Sequence, residues 1–234
     1  FYMPNRATGE FDFKPGAVFC NLFLADEINR TSSKTQSALL EAMEEGAVTV
    51  DSFTRKLPDP FIVLATQNPS GSAGTQLLPE SQLDRFMIRL SMGYPTVGEE
   101  TEILKAKSSK KAAPRVEPIM TAQDLIEIRS AAEDIFVSDE IYDYIARLSG
   151  ATRSDRRLEL GVSTRGSLAA AAMAKCAAMF KGRNFVIPED VTFVYTDVCA
   201  HRIIPARVKG KLPSDNEVRE ILCDICRGVT PPKI

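Results

Sequence analysis

The chain has 234 residues, of which 44% are hydrophobic and 26% are charged, and its formal net charge is −2. This composition excludes an intrinsically disordered or fibrous protein and predicts a globular fold with a sizeable core. Apolar stretches stay well short of the roughly 18 residues that a membrane-spanning helix requires, and the near-neutral charge argues against a dedicated nucleic-acid-binding protein.

The first half of the chain contains three predicted strands and a hairpin. Residues 18–25 (VFCNLFLA) and 61–65 (FIVLA) are apolar runs, which predict strands covered on both faces in a parallel sheet. A short hairpin is predicted over residues 48–57, and a third strand over residues 87–90.

A helix is predicted between the two apolar runs. Ser33 can act as its N-cap, with Gln36 three residues later completing a capping box. Gly46 is placed to end the helix. This strand–helix–strand order is typical of an α/β fold.

The second half is predicted to be entirely helical. Residues 105–118 are rich in Lys, Ser, Ala and Pro, and are therefore the predicted linker. Five helices follow it, beginning near Thr121, Ser138, Ser163, Pro188 and Asn216. The predicted organisation is an α/β domain over residues 1–107 and an all-helical domain over residues 108–234.

Each of the two apolar strands is followed by side chains that could act on a nucleotide. Asp26 and Glu27 come directly after the first strand, and Asn68 follows the second. Parallel strands bring their carboxyl ends to one sheet edge, where ligands bind in open α/β folds. In nucleotide hydrolases one carboxylate at this edge holds the hydration shell of Mg²⁺ and another polarises the attacking water. The alternative is an ordinary polar turn at each strand end, since Pro69 follows Asn68.

Six segments, which occur in the expected order along nearly the whole chain, closely resemble the MoxR-type AAA+ ATPases. They are residues 25–30 (ADEINR), 34–43 (KTQSALLEAM), 64–69 (LATQNP), 78–86 (LPESQLDRF), 161–165 (GVSTR) and 200–203 (AHRI). The resemblance implies a truncated P-loop NTPase fold of the AAA+ type: a parallel sheet with helices, followed by an all-helical lid domain. It also implies ATP and Mg²⁺ as cofactors, and ATP hydrolysis that drives chaperone-like remodelling or assembly of protein complexes.

The resemblance assigns a role to five residues. Asp26 would hold Mg²⁺ through water as the first Walker B residue, and Glu27 would activate the attacking water. Asn68 would align that water as the sensor-1 residue. Arg85 would be the arginine finger, which reaches the nucleotide of a neighbouring subunit. Arg165 would be the sensor-2 arginine, which contacts the nucleotide from its own lid, above the two carboxylates.

Both arginines also have a structural interpretation. Arg85 follows Asp84 and could pair with it at the surface. Arg165 is predicted in the first turn of a helix, where a cation opposes the helix dipole unless an anion is bound there. Its alternative is a solvated side chain. The preceding Thr164 stands where the family usually has proline.

The sequence contains no Gly-x-x-x-x-Gly-Lys-Ser/Thr loop, which holds the β- and γ-phosphates in this family. Gly210 and Lys211 fail the pattern, because Leu212 follows them and Pro205 stands in place of the first glycine. Residues 9–16 resemble the hairpin just upstream of the Walker B strand. The chain is therefore expected to lack the amino-terminal part with the phosphate loop and to be inactive alone.

The resemblance also implies partners. An arginine finger acting between subunits implies a homo-oligomer, expected to be a hexameric ring. The expected client is a protein, for which a von Willebrand factor A-domain protein is one candidate, and neither nucleic acid nor a membrane span is expected. Two alternatives stay open: a non-catalytic interaction fragment, and another AAA+ branch such as a magnesium-chelatase subunit.

The five cysteines, with no recognisable secretory leader, favour a reducing cytoplasm. Four residues could be read as zinc ligands, namely Cys199, His201, Cys223 and Cys226. However, Cys223 and Cys226 have the three-residue spacing of one helix face, and Cys199 falls on the apolar side of its predicted helix. Packing in the core is therefore favoured, because buried cysteine behaves as a small hydrophobic residue.

Overall fold

The computed structural model describes residues 2–4, 9, 11–68, 78–108, 116–207 and 213–233. Its strands are β1 (Tyr2–Pro4), β2 (Phe11–Phe13), β3 (Leu22–Ala25), β4 (Ala47–Val50), β5 (Phe53–Lys56), β6 (Ile62–Ala65), β7 (Leu158–Leu160) and β8 (Ile204–Pro205). Its α-helices are α1 (Ser33–Glu45), α2 (Glu80–Leu83), α3 (Val97–Ser108), α4 (Ala122–Glu133), α5 (Asp139–Ser154), α6 (Thr164–Phe180), α7 (Pro188–Cys199) and α8 (Asp215–Gly228). A short 3-10 helix covers Ile28–Arg30. Among the described residues, no helix is long and apolar enough to cross a bilayer.

The two apolar runs form the parallel pair that was predicted. β3 and β6 lie side by side in register, from Leu22 opposite Ile62 to Ala25 opposite Ala65. β3 is shorter than predicted, because residues 16–20 form a turn in which Phe19 N–H donates to Gly16 O. Because the two strands are parallel and in register, both end at the same edge of the sheet, which brings the polar residues that follow them together.

The predicted hairpin is also confirmed: β4 and β5 pair in antiparallel fashion. β1 and β2 form a second antiparallel pair, and β2 lies in the segment 9–16 that resembles a hairpin. Gly46 ends α1 in the left-handed region, at φ 59°, as predicted.

The start of α1 differs from the prediction in one useful respect. Ser32, not Ser33, is the N-cap, and its hydroxyl accepts from Thr35 N–H at 3.2 Å. Gln36 makes no capping box, because its side chain points into the protein and is buried. Its Nε2 donates to Ile28 O at 3.1 Å, which ties α1 to the turn after β3.

The second half is a helical body with one core, built mainly from α5, α6, α7 and α8. Helices begin where the sequence predicted, and the Thr121–Asp124 capping box is present. The expectation of helices alone was wrong, since β7 pairs with β8 across the body. The chain is helical to Ser108, and residues 109–115 of the predicted linker lie outside the described residues. The boundary between residues 107 and 108 stays a prediction.

The predicted third strand, at residues 87–90, is wrong. The segment makes no strand pairing and lies against the helical half, where Arg89 N–H donates to Asp197 O at 3.1 Å. Carbonyls that a neighbouring strand would have used are taken by Arg202 instead. Its guanidinium donates to Phe86 O at 2.6 Å and to Met87 O at 3.0 Å.

Arg202 is the centre of the junction between the two halves. Its side chain is 1% exposed, and its Nε donates to Asp84 Oδ1 at 3.0 Å. The Ser163 hydroxyl, at the start of α6, donates to the same carboxylate at 3.1 Å. Burial lowers the pKa of Arg202, and Asp84 opposes this effect. A buried guanidinium that satisfies its donors in this way strongly favours one arrangement of the segment 84–87.

We predict that Asp84→Asn lowers the free energy of unfolding by about 1.5–3 kcal/mol, the range for hydrogen bonds to charged groups. The reason is that Arg202 and Ser163 then lose their charged acceptor. Asp59→Asn is the matched control, because its ion pair with Arg129 is exposed and is expected to contribute much less than the buried pair. Urea denaturation measures both, and equal losses would contradict the assignment.

The buried imidazole of His201 is expected to make the stability of the protein depend on pH. Burial lowers the pKa of its imidazole from 6.5 to about 4, and Nε2 lies 2.9 Å from Phe86 O, to which the neutral ring donates. The unfolded chain therefore binds a proton below pH 6.5 that the folded chain binds only near pH 4. The contribution of neutral His201 to the free energy of unfolding is therefore complete above pH 6.5. It is lost as the pH falls toward 4, by up to about 3 kcal/mol.

We predict that His201→Gln, whose amide can also donate to Phe86 O, has a flatter stability profile between pH 6.5 and pH 4. Chemical denaturation of both proteins across this range measures the difference, which cancels the contribution of the other titrating groups. Parallel profiles would show that His201 titrates normally.

Candidate functional site

Asp26 and Glu27 lie immediately beyond β3, beside Thr66 at the end of β6. The Thr66 hydroxyl donates to Asp26 Oδ1 at 2.6 Å and accepts from Glu27 N–H at 2.8 Å. Asp26 is exposed, so a carboxylate oriented by the neighbouring strand faces the edge of the sheet. Carboxylate oxygen is the type of ligand that Mg²⁺ and its bound water prefer, so Asp26 fits the metal that the resemblance implies.

The backbone at Glu27 is strained. Its φ of 48° and ψ of 47° lie in the left-handed region, which costs a residue with a Cβ about 1–2 kcal/mol. Such strain persists where surrounding contacts hold it, often at functional positions. The Glu27 carboxylate lies 2.7 Å from Arg30 Nη1, and this pairing raises the pKa of the Arg30 guanidinium.

Asn68 is held through its backbone by Asn29. The buried Asn29 side chain donates from Nδ2 to Asn68 O at 3.1 Å and accepts from Asn68 N–H at 3.4 Å. The chain after β6 is thereby attached to the turn that carries the two carboxylates. The structure thus brings Asp26, Glu27 and Asn68 to one edge of the sheet.

Arg85 and Arg165 lie together at a different place, on the carboxylate of Glu44. Glu44 Oε2 is 3.0 Å from Arg85 Nη1, and Glu44 Oε1 is 2.8 Å from Arg165 Nη2. Arg165 Nη1 is also 3.8 Å from Asp84 Oδ2. We call Glu44, Arg85 and Arg165 the Glu44 cluster.

The Glu44 cluster and the carboxylates after β3 are separated by α1. Gln36, near the start of α1, contacts the turn after β3, whereas Glu44 is the twelfth of the 13 residues of the helix. At 1.5 Å per residue, Glu44 lies about 16 Å along the axis from the first helical residue. The structure places Arg165 beside Arg85, on the carboxylate of Glu44, and the expected position of Arg165 above Asp26 and Glu27 stays a prediction.

The structural interpretation of Arg85 needs the same kind of correction. Its ion-pair partner is Glu44 and not the adjacent Asp84, whose carboxylate is bound by Arg202 and Ser163. Arg85 lines an open recess of about 400 Å³ with Glu44 and with residues of α1 and α2. Its side chain is 32% exposed, and its buried Nε makes no hydrogen bond among the described residues.

Of the residues that resembled zinc ligands, Cys199 and Cys226 are used in packing. Cys199 lies in the core of the helical half, as predicted, and burial raises the pKa of its thiol to about 12. Cys226 packs against that core, and its pKa is raised to about 11. His201 is bonded to Phe86 O. Within the described ranges, no three His, Cys, Asp or Glu side chains are grouped as metal ligands.

Several contributors to the site were missed by sequence reasoning. Thr66 and Asn29 lie inside the recognised segments, but their roles depend on pairing between β3 and β6. Glu44 has no local signal, because one of its partners, Arg165, is 121 residues away. Gln36 could have been found, since an amide on the buried face of a helix needs hydrogen-bond partners.

Comparison with known proteins identifies the family of each half of the chain. Residues 2–88 match the family described as the ATPase family associated with various cellular activities (AAA), and residues 150–221 match the AAA lid domain. The two matches cover the α/β half and most of the helical half, in the order that the fold shows.

Named relatives cover most of the chain. It is 43% identical over 221 residues to the uncharacterised protein YeaC of Bacillus subtilis, covering 93% of this chain and 69% of YeaC. It is 40% identical over 204 residues to the chaperone MoxR1 of Mycobacterium tuberculosis, covering 83% of this chain and 54% of MoxR1. The chain thus spans little more than half of MoxR1.

A crystal structure of a Cytophaga hutchinsonii protein, provisionally assigned as an ATPase, superposes with a TM-score of 0.87 at 36% identity. The match covers 100% of this chain and 73% of the other. Fold, domain order and sequence agree, and the chain belongs to the MoxR-type AAA+ ATPases.

Proposed function

We propose that the full-length polypeptide containing this chain hydrolyses ATP to ADP and phosphate and uses the energy to remodel or assemble protein complexes. The observation that supports hydrolysis is the gathering of Asp26, Glu27 and Asn68 at one sheet edge through Thr66 and Asn29. The chaperone name of one relative supports the remodelling role.

In this proposal the three residues divide the work of hydrolysis. Asp26 would hold Mg²⁺ through a bound water, and the metal would neutralise charge on the phosphates. Glu27 accepts a proton from the attacking water, for which its carboxylate turns from Arg30 toward the sheet edge. Asn68 presents an amide that can bond both a phosphate oxygen and the water.

Arg85 is proposed to act on a nucleotide held by a neighbouring subunit. Its support is a partly exposed side chain that pairs with Glu44 and lines an open recess. Arg165 is proposed to contact nucleotide as well, for which it must exchange Glu44 for phosphate oxygens. A planar guanidinium suits both partners, since it binds carboxylate and phosphate in similar geometry.

A finger that acts between subunits requires an oligomer, and we propose a hexameric ring in the cytoplasm. The proposed client is a protein, and von Willebrand factor A-domain proteins are the class to test first by co-purification. The non-catalytic alternative is favoured by one observation, the lack of a phosphate loop in these 234 residues.

We predict that Glu27→Gln in the full-length polypeptide retains ATP binding and loses turnover about 100-fold or more, because an amide cannot act as the general base. Phosphate release and ATP binding are measured side by side. Glu45→Gln is the control, since Glu45 is an exposed carboxylate at the end of α1. Unchanged hydrolysis in Glu27→Gln would refute the role of Glu27.

We predict that the 234-residue chain alone binds ATP weakly or not at all in calorimetry, whereas the full-length polypeptide binds it. The physical reason is that most nucleotide affinity in this fold comes from backbone amides and a lysine of the phosphate loop. Equal affinity of both proteins would contradict this reasoning. Absence of binding in both would favour the non-catalytic alternative.

A further inference from the structure

We infer that Thr66 is a positioning residue, whose hydroxyl sets the geometry of both Asp26 and Glu27 from the neighbouring strand. The inference rests on the proposed function, because it concerns the same site. Neither of the two carboxylate residues can orient the other, since adjacent side chains leave the backbone in different directions.

The Thr66 hydroxyl makes one hydrogen bond to each of these two residues. A hydroxyl has one proton, and here it is donated to Asp26 Oδ1 at 2.6 Å, a short bond of the kind formed with a charged acceptor. A lone pair of the same oxygen accepts from Glu27 N–H at 2.8 Å. One atom thus contacts the side chain of the first carboxylate residue and the backbone of the second.

Thr66 is itself fixed by its backbone on both sides of the acidic pair. Its N–H donates to Ala25 O at 3.0 Å, and its carbonyl accepts from Ile28 N–H at 3.0 Å. These two bonds extend the pairing of β3 with β6 past the end of the strands. The hydroxyl is therefore held in a defined position beside the turn, where it can orient the Asp26 carboxylate.

The contact with Glu27 N–H explains how the left-handed backbone at Glu27 is retained. With φ at 48°, this residue directs its N–H to the Thr66 hydroxyl on the neighbouring strand. Loss of this acceptor is expected to weaken the hold on the strained backbone that carries the carboxylate. Thr66 thus determines where the proposed general base is presented.

Two substitutions separate the hydroxyl from the rest of the side chain. Thr66→Val keeps the shape and the β-branch but removes the donor and the acceptor. Thr66→Ser keeps the hydroxyl and removes the methyl group. Thr49→Val is a matched control, because it removes a strand hydroxyl whose partner, Thr54, lies in the β4–β5 hairpin.

In the full-length polypeptide, Thr66→Val is expected to lower kcat and to raise the half-saturating Mg²⁺ concentration about 10- to 100-fold, as loss of such outer contacts does at metal sites. Thr66→Ser and Thr49→Val are expected to stay close to wild type in both quantities. Unchanged values in Thr66→Val, or an equal loss in Thr66→Ser, would overturn the inference.

A second measurement is independent of activity. Amide hydrogen exchange at Glu27, followed by NMR in the 234-residue chain, is expected to be faster in Thr66→Val and unchanged in Thr66→Ser. Equal exchange in all three proteins would overturn the inference. If the wild-type polypeptide hydrolyses no ATP, the proposed function is refuted. The exchange measurement then still decides whether Thr66 holds Glu27.

Discussion

The arrangement of this chain depends on burying one guanidinium between its two halves. Arg202 is enclosed by protein, so its donors must be satisfied by backbone carbonyls of the segment 84–87 and by the side-chain carboxylate of Asp84. Because Ser163 binds the same carboxylate, the start of α6 is attached to that segment too. A motion that separated the helical half from residues 84–87 would leave a buried charge unpaired, which is costly. The segment that contains Arg85 is therefore attached to the helical half, although it belongs to the first half by sequence.

A second constraint is the length of α1, which separates the site into two groups. Gln36 attaches one end of the helix to the turn that carries Asp26 and Glu27, and Glu44 binds Arg85 and Arg165 at the other. A helix is stiff over this length, so a displacement at one end is transmitted to the other. In a ring of the kind proposed, α1 would connect the carboxylates of one subunit with Arg85, the arginine proposed to act on its neighbour's nucleotide.

Much of the fold could be predicted, because its signals are local. The apolar runs before Asp26 and Asn68 indicated adjacent parallel strands, and Gly46 ended its helix as its conformational freedom suggests. The segment 87–90 was misassigned for a tertiary reason. Its apolar residues resemble a strand, but the Met87 carbonyl is bound by Arg202 and the Arg89 N–H by Asp197 O, and a backbone group used there cannot also join a sheet.

The sequence by itself determined the family, the parallel strand pair and the edge at which Asp26, Glu27 and Asn68 meet, since strand periodicity and helix caps depend on neighbouring residues. Tertiary structure alone decided which charges pair, because several carboxylates are equally available along the chain to any arginine. The folded chain brings Arg165, at the start of α6, to Glu44, 121 residues away, and pairing of β6 with β3 brings Thr66 to Asp26, 40 residues away. Partners at such separations are chosen by the geometry of the folded chain, which no local pattern encodes.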